Sequence, residues 1–259
     1  MDPASIVGIV VAFGAVFTLI IMEGGSIGEM FLVAPLILIF AGTLGVALAG
    51  GLLKDMTGMF GAVKNALLSK KTAPDELVES IVKLAERARR EGLLALEDGM
   101  KDVENEFLRK GLQLAVDGTD QDELQDILEA EVEAKRKVDK LNAKILADMG
   151  AYAPTVGIVG TTLGLINALS NLSEPEKLGH LIASAFVATL WGLLSANFIW
   201  LPLSAKVKRM SELEATEMEM VIAGIVNIQS GANPRLVAQK LRSLLPPGDA
   251  APADEKKAA

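Results

Sequence analysis

Four stretches of this chain, residues 4–22, 30–53, 149–173 and 181–205, contain no Asp, Glu, Lys, Arg or His. Each is 19 to 25 residues long, and at the rise of an α-helix about 20 residues cross the roughly 30 Å hydrocarbon layer of a bilayer. Irregular backbone is not tolerated against lipid, where an unpaired N–H or C=O finds no water. The stretches therefore predict four transmembrane helices. One corollary concerns function: if the protein uses an ion gradient, the ionisable group at membrane depth has to come from another subunit.

The first stretch starts behind Met1-Asp2-Pro3 with no basic region, and the second follows after seven residues. A retained helix is expected there rather than a cleaved signal. All 25 Lys and Arg residues lie at 54–144 or from 206 onward, except Lys177. The positive-inside bias then places both large hydrophilic segments and both termini in the cytoplasm, with two short hairpins facing out. Tyr152 and Trp200 fall near the expected inner interface, where amphipathic rings are enriched; Trp191 lies deeper, as a packing residue.

Composition excludes more than it assigns. A net charge of −8 is opposite to a nucleic-acid footprint. Without cysteine there is no disulfide, thiol nucleophile or Cys-ligated zinc. The single histidine, His180, falls in the second outer hairpin as a solvated loop residue. The sequence holds no P-loop, no strand-borne GxGxxG, no HExxH and no GxSxG.

The hydrophilic segments read as helical. Leu77, Ile81, Val82, Leu84 and Ala88 recur at helical spacing between Pro74 and Glu91, with acids first and Arg87, Arg89 and Arg90 last. Gly92 interrupts that helix, and a further one is expected to run to about Arg109. Asp117-Gly118-Thr119-Asp120 marks a turn with Asp120 as a cap. Residues 122–148 then lead towards span three as one long helix, 206–229 extend span four, and Asn233-Pro234 start a short helix ending near Leu244. From Pro246 the composition is that of a disordered tail.

The chemistry of interest falls in spans three and four. Gly157, Gly160 and Gly164 form a small face against which another backbone can approach. Thr155, Thr161, Thr162, Asn167, Ser184, Thr189, Ser195 and Asn197 place neutral oxygens and amides at membrane depth. They suit bonding back to the preceding helical turn, and equally the coordination of a partly dehydrated cation beside a carboxylate supplied from outside. Pro154 fits the first position of a helix and Pro202 the membrane exit of span four; either also fits a bend on which movement depends.

From Met1 to about Leu245 the chain resembles the MotA/PomA family of flagellar motor stator subunits, related to ExbB and TolQ. The matching segments are Gly24-Gly25-Ser26-Ile27-Gly28; Ala88-Arg89-Arg90-Glu91-Gly92-Leu93-Leu94-Ala95-Leu96-Glu97 followed by Ala115-Val116-Asp117-Gly118; Tyr152 to Gly164; and Ala185 to Leu190. The resemblance implies an all-α membrane protein with four transmembrane helices, a helical cytoplasmic domain between spans two and three, and a cytoplasmic C-terminal helix. Its divisions are expected at 1–53, 54–148, 149–205, 206–245 and 246–259, in the inner bacterial membrane. The implied assembly is a pentamer around a MotB- or PomB-like partner that carries the membrane aspartate and grips peptidoglycan. Ion flow would turn the ring against the rotor protein FliG, with no nucleic acid and no tightly bound cofactor.

Residue by residue, the resemblance gives Arg89 and Glu97 the rotor contact, Pro154 and Pro202 the coupling of ion flow to movement, and Thr189 a place facing the partner's aspartate. Thr161 stands where sodium-driven members usually carry Thr and proton-driven members Ala, which favours Na⁺ over H⁺ as the transported ion. A bare carboxylate suffices for a proton, whereas Na⁺ shedding water needs several oxygen ligands. Such a subunit is a mechanical transducer and not an enzyme. An ExbB/TolQ-like energiser of another envelope process is the alternative, but those proteins have three spans and no early hairpin. A secondary transporter would show internal repeats or ionisable residues at mid-membrane, which are absent from the sequence.

Overall fold

Helices account for every regular element in residues 4–68 and 74–245, the part of the chain that the computed structural model describes. The segment from Pro246 onward, expected as a tail, lies outside the described residues. In order these are α1 (Ala4–Met22), a 3₁₀ turn (Ile27–Met30), α2 (Val33–Ala49), α3 (Leu53–Leu68), α4 (Pro74–Glu91), α5 (Leu96–Gly99) between two further 3₁₀ turns, and α6 (Glu106–Val116). Then come α7 (Gln121–Ser170), α8 (Pro175–Leu194), a π turn (Ser195–Trp200), α9 (Leu201–Gln229) and α10 (Pro234–Ser243). By length and composition α1, part of α7 and the run Lys177–Gln229 are each able to cross a membrane. The apolar α2 has 17 residues, about 25 Å of helix.

The chain forms two compact units, residues 4–68 with Val138–Met210 and residues 74–137 with 211–245. These limits differ from the composition boundaries at 53/54, 148/149 and 205/206. The reason is packing beyond the apolar stretches: α3, the middle of α7 and the start of α9 belong with the apolar helices. Met56 and Met59 of α3 are buried, the Cβ position of Gly58 stands 3.2 Å from Asn142 Oδ1, and Ser204 Oγ of α9 donates to the Ala143 carbonyl at 2.7 Å.

In this first unit α2 packs on α8. Ile39, Trp191 and Leu194 are buried with Phe13, Phe17, Phe40 and Phe198 against them. The second unit has its own core, with Leu77, Val78 and Ile81 of α4, Leu108 and Leu112 of α6, Leu124 and Leu128 of α7, Val221 and Ile225 of α9, and Val237 and Leu241 of α10. Each such side chain contributes about 1.5–3 kcal/mol of burial. α10 packs on α4 and is started by Asn233, whose side chain accepts from Arg235 N at 3.0 Å.

The helix expected to run from Leu93 to about Arg109 is not one helix. After Gly92, at φ +87°, come two 3₁₀ turns flanking four-residue α5. Val103 is then extended, and α6 starts anew at Glu106 with Asn105 Oδ1 accepting from Leu108 N at 2.9 Å. A capping side chain in extended backbone wins over helix propagation there. Pro154 does not start a helix either, since it lies inside 50-residue α7. His180 is within α8, exposed, because the second hairpin turns earlier, between Ser170 and Pro175. Trp200 is half-buried, its ring 6.3 Å from that of Phe40.

Candidate functional site

α8 lies between two different surfaces. Ala185, Ala188, Thr189 and Gly192 recur on one face and meet α7; Val187, Trp191 and Leu194 meet α1 and α2 on the other. On the α7 side the fit is backbone to backbone. A Cβ on Gly157 would stand 3.1 Å from the Ala188 carbonyl and 3.2 Å from Thr189 Cα; one on Gly164 would stand 3.1 Å from Ala185 Cα. Gly192 reciprocates, with the Ala153 carbonyl at 2.8 Å. The small face expected on span three is thus covered by α8 of the same chain.

That closeness brings two hydroxyls together. Thr161 Oγ1 of α7 is hydrogen-bonded to Thr189 Oγ1 of α8 and stands 3.0 Å from the Ala185 carbonyl and 3.1 Å from the Gly157 carbonyl. A hydroxyl has one proton and two lone pairs, so Thr161 donates to one carbonyl at a time while Thr189 supplies a proton to it. Five of the other polar side chains bond within their own helical turns. Thr155, Thr162, Asn197 and Ser195 bond back to the carbonyls of Tyr152 (2.7 Å), Ile158 (2.9 Å), Leu193 (2.9 Å) and Gly192 (3.3 Å). Asn167 Oδ1 accepts from Asn171 Nδ2 at 3.1 Å. Of the sequence candidates, Thr161 and Thr189 are the two whose hydroxyls join α7 to α8.

The prolines bracket this seam. Pro154 lacks the N–H that would reach the Gly150 carbonyl, and its Cα lies 3.3 Å from the Cβ position of Gly192. Pro202 follows the π turn, where Leu201 N donates to the Ala196 carbonyl. Widening the helix just before a residue that cannot donate shifts the hydrogen-bond ladder, and such π turns recur at functional sites.

The charged candidates lie in the other unit. Arg89 lies in the last turn of α4 and Glu97 belongs to α5, and both are exposed. Their neighbours are committed: Arg87 pairs with Glu91 at 3.2 Å and Lys101 with Asp98 at 2.8 Å. Neither Arg89 nor Glu97 is held in an ion pair among the described residues. Among those residues no three His, Cys, Asp or Glu side chains converge as metal ligands.

Trp191 is buried as a packing residue, as expected, and it also makes a polar contact that the sequence does not foretell. Its indole N–H donates to the Met30 carbonyl at 2.7 Å, a buried bond between residues 161 apart. No local pattern announces such a pairing.

Apolar helices long enough to span a bilayer, joined closely by small residues and a pair of hydroxyls, define a multi-pass membrane protein. Comparison with known proteins makes this specific. Residues 100–220 match the model of the MotA/TolQ/ExbB proton channel family. Motility protein A of Bacillus subtilis (strain 168) is 36% identical over 252 residues, covering 96% of this chain and 93% of that protein. Chemotaxis protein PomA of Vibrio alginolyticus is 31% identical, covering 96% and 97%. The structure of the flagellar MotAB stator complex from Bacillus subtilis contains a chain that superposes with a TM-score of 0.88 at 36% identity, covering 96% of this chain and 98% of that one. The chain belongs to the MotA/TolQ/ExbB proton channel family. Its function is that of a flagellar stator ion-channel subunit of the inner membrane, not of an enzyme.

Proposed function

We propose that this chain, as several copies around a MotB-like partner, forms the wall of an ion path and turns ion flow into torque on the flagellar rotor. The spans are four, α1, α2, the apolar part of α7, and α8 with the π turn, and both termini lie in the cytoplasm. Hydrophilic segments 54–148 and 206–245 form the inner part, which α4 and α10 help to build. Five copies, as the family resemblance implies, give equivalent stations for successive ions.

The observation that carries this reading is the Thr161–Thr189 hydroxyl pair in apolar stretches that hold no Asp, Glu, Lys, Arg or His. On this reading the partner brings a carboxylate to that wall, and Thr161 and Thr189 offer neutral oxygens beside it. Two hydroxyls and adjacent carbonyls suit Na⁺ shedding water better than H⁺, so this reading favours Na⁺ over H⁺ as the transported ion. Pro154 and Pro202 pass changes at this seam into α7 and α9. Arg89 and Glu97, exposed and unpaired, meet opposite charges on FliG. Exposed ion pairs are worth about 0–1 kcal/mol each, which suits repeated contact and release.

One elementary charge crossing 100 mV yields about 2.3 kcal/mol, so each ion drives one small step and rotation needs many. The test is tethered-cell rotation in a strain that lacks this gene and has assembled filaments. Paralysis relieved by the gene supports the reading; rotation at full speed, with no second stator gene present, removes it.

A further inference from the structure

The Gly24-Gly25-Ser26-Ile27-Gly28 segment stands out in the sequence and has no part in the reading above. It begins where α1 ends in a tight C-terminal turn. Gly25 N donates to the Ile20 carbonyl at 2.9 Å and Gly24 N to the Ile21 carbonyl at 3.1 Å, with Gly24 at φ +77°. This is the double bond of a Schellman motif, in which the left-handed residue is best a glycine. The chain then makes the Ile27–Met30 turn and buries Met30, 5% exposed, against α8. Its carbonyl is the acceptor for Trp191 Nε1. What reads as an outer hairpin is therefore a strap fastened into the helices.

The Trp191 ring is 6% exposed, with the rings of Phe13, Phe31 and Phe40 at 6.0, 5.5 and 5.9 Å. Trp191 precedes Gly192 and follows Thr189 by two positions, so it faces away from α7 while those two face it. Its contacts come from α1, the strap and α2, and all of them fix how α8 is rotated and how deep it sits. The seam on the opposite face is sensitive to that placement, because glycine backbones meet there without side chains to absorb a shift.

We infer that Trp191 is a positioning residue for ion passage: through its hydrogen bond to the Met30 carbonyl it holds α8 so that the Thr189 hydroxyl meets Thr161. The inference rests on the reading of Thr161 and Thr189 as ion-path residues. It assigns the glycine segment a function, which is to carry the Met30 carbonyl to the indole.

The experiment is a double-mutant cycle in motile cells, with swimming speed recorded against sodium concentration for wild type, W191F, T189A and the double variant. Phe keeps most of the ring and deletes the donor. One hydrogen bond of about 1 kcal/mol corresponds to a factor of about five. W191F is expected to raise the half-maximal sodium concentration by about fivefold, and the double variant is expected to match T189A, since two residues acting through one contact do not add. Full additivity of the two changes, or an unaltered W191F, overturns the inference. A silent T189A sinks instead the underlying assignment of the threonines. Should W191F fail to accumulate, benzothienylalanine at position 191, which has the indole shape without the N–H, is put through the same titration with the same two outcomes. W200F serves as the control for loss of an indole outside the strap and is expected to leave the half-maximal concentration unchanged.

Discussion

Pro154 and Gly192 touch backbone to backbone: the Cβ position of Gly192 is 3.3 Å from Pro154 Cα and 2.8 Å from the Ala153 carbonyl. Neither neighbour is a flexible side-chain end, so a methyl group at position 192 has to push α8 off α7. Overpacking of this kind costs about 1–3 kcal/mol. G192A is expected to lower the melting temperature of the purified protein and to slow swimming. G45A, at a helical glycine with nothing within 4 Å of its Cβ position, is the control. Equal effects of the two substitutions remove the claim that the seam is what matters.

The hydroxyl pair makes a separate prediction. T161S keeps the oxygen and T161V keeps the shape without it. If the oxygen contributes about 1 kcal/mol to an ion shedding water, T161V moves the half-maximal sodium concentration upward by about fivefold, whereas T161S stays near wild type. Swimming speed measured from low to high sodium at constant ionic strength decides this. Identical titrations for all three proteins leave Thr161 as a packing residue.

How much of this could be read from the chain depends on how local the signal is. α4 was legible from end to end, Pro74 to Glu91, because its apolar residues keep helical spacing and its terminal charges suit the helix ends. α10 was legible because Asn233-Pro234 is a capping pair. The break before α6 carried a signal that propensity outweighed: Asn105 precedes an acid and an apolar pair, as an N-cap does. The course of α7 through Pro154 was not legible, since a proline marks a helix start or an interior position with the same letter. Each threonine of the pair was identifiable alone, but their contact joins residues 28 apart, and the Trp191–Met30 bond joins residues 161 apart. Those depend on tertiary packing, which single-chain periodicity does not encode.

Glu217 gives a pH dependence outside the membrane. Burial first, and the charge of Glu214 second, push its carboxyl above the usual 4.5, while the hydrogen bond from Asn105 Nδ2 at 2.9 Å pulls the other way. A carboxyl raised in the folded state favours folding when protonated. Its contribution is complete below the unfolded value and is lost as pH rises through the folded one. E217Q retains an acceptor for Asn105 and removes the ionisation. It is expected to melt higher than wild type at pH 7 and to lose that advantage as pH falls through the raised folded value, with none left near pH ~4. Melting followed by circular dichroism between pH 4 and 8 checks the sign; a gap that widens on acidification contradicts it.

The last prediction concerns charge at the proposed rotor contact. Arg89 and Glu97 are both exposed, so reversing either leaves the core of the second unit untouched, and surface substitutions of this kind usually change stability by less than about 0.5 kcal/mol. R89E and E97K are therefore expected to reach the membrane at wild-type levels. Torque is a different matter, because reversal turns an attraction with an opposite charge on the rotor into a repulsion. R89E should reduce the stall torque of tethered cells by more than half, and a charge reversal at the facing rotor residue should restore part of it. The order of the tests matters. Membrane abundance comes first, by immunoblot, since a lost protein would mimic lost torque. If R89E is present in full and rotates as wild type does, Arg89 is a solvated residue on the end of α4 and the rotor is engaged elsewhere. If it is present, stalls, and recovers with the rotor reversal while E97K with the same rotor change does not, then Arg89 and Glu97 meet different rotor charges and the contact has a fixed orientation.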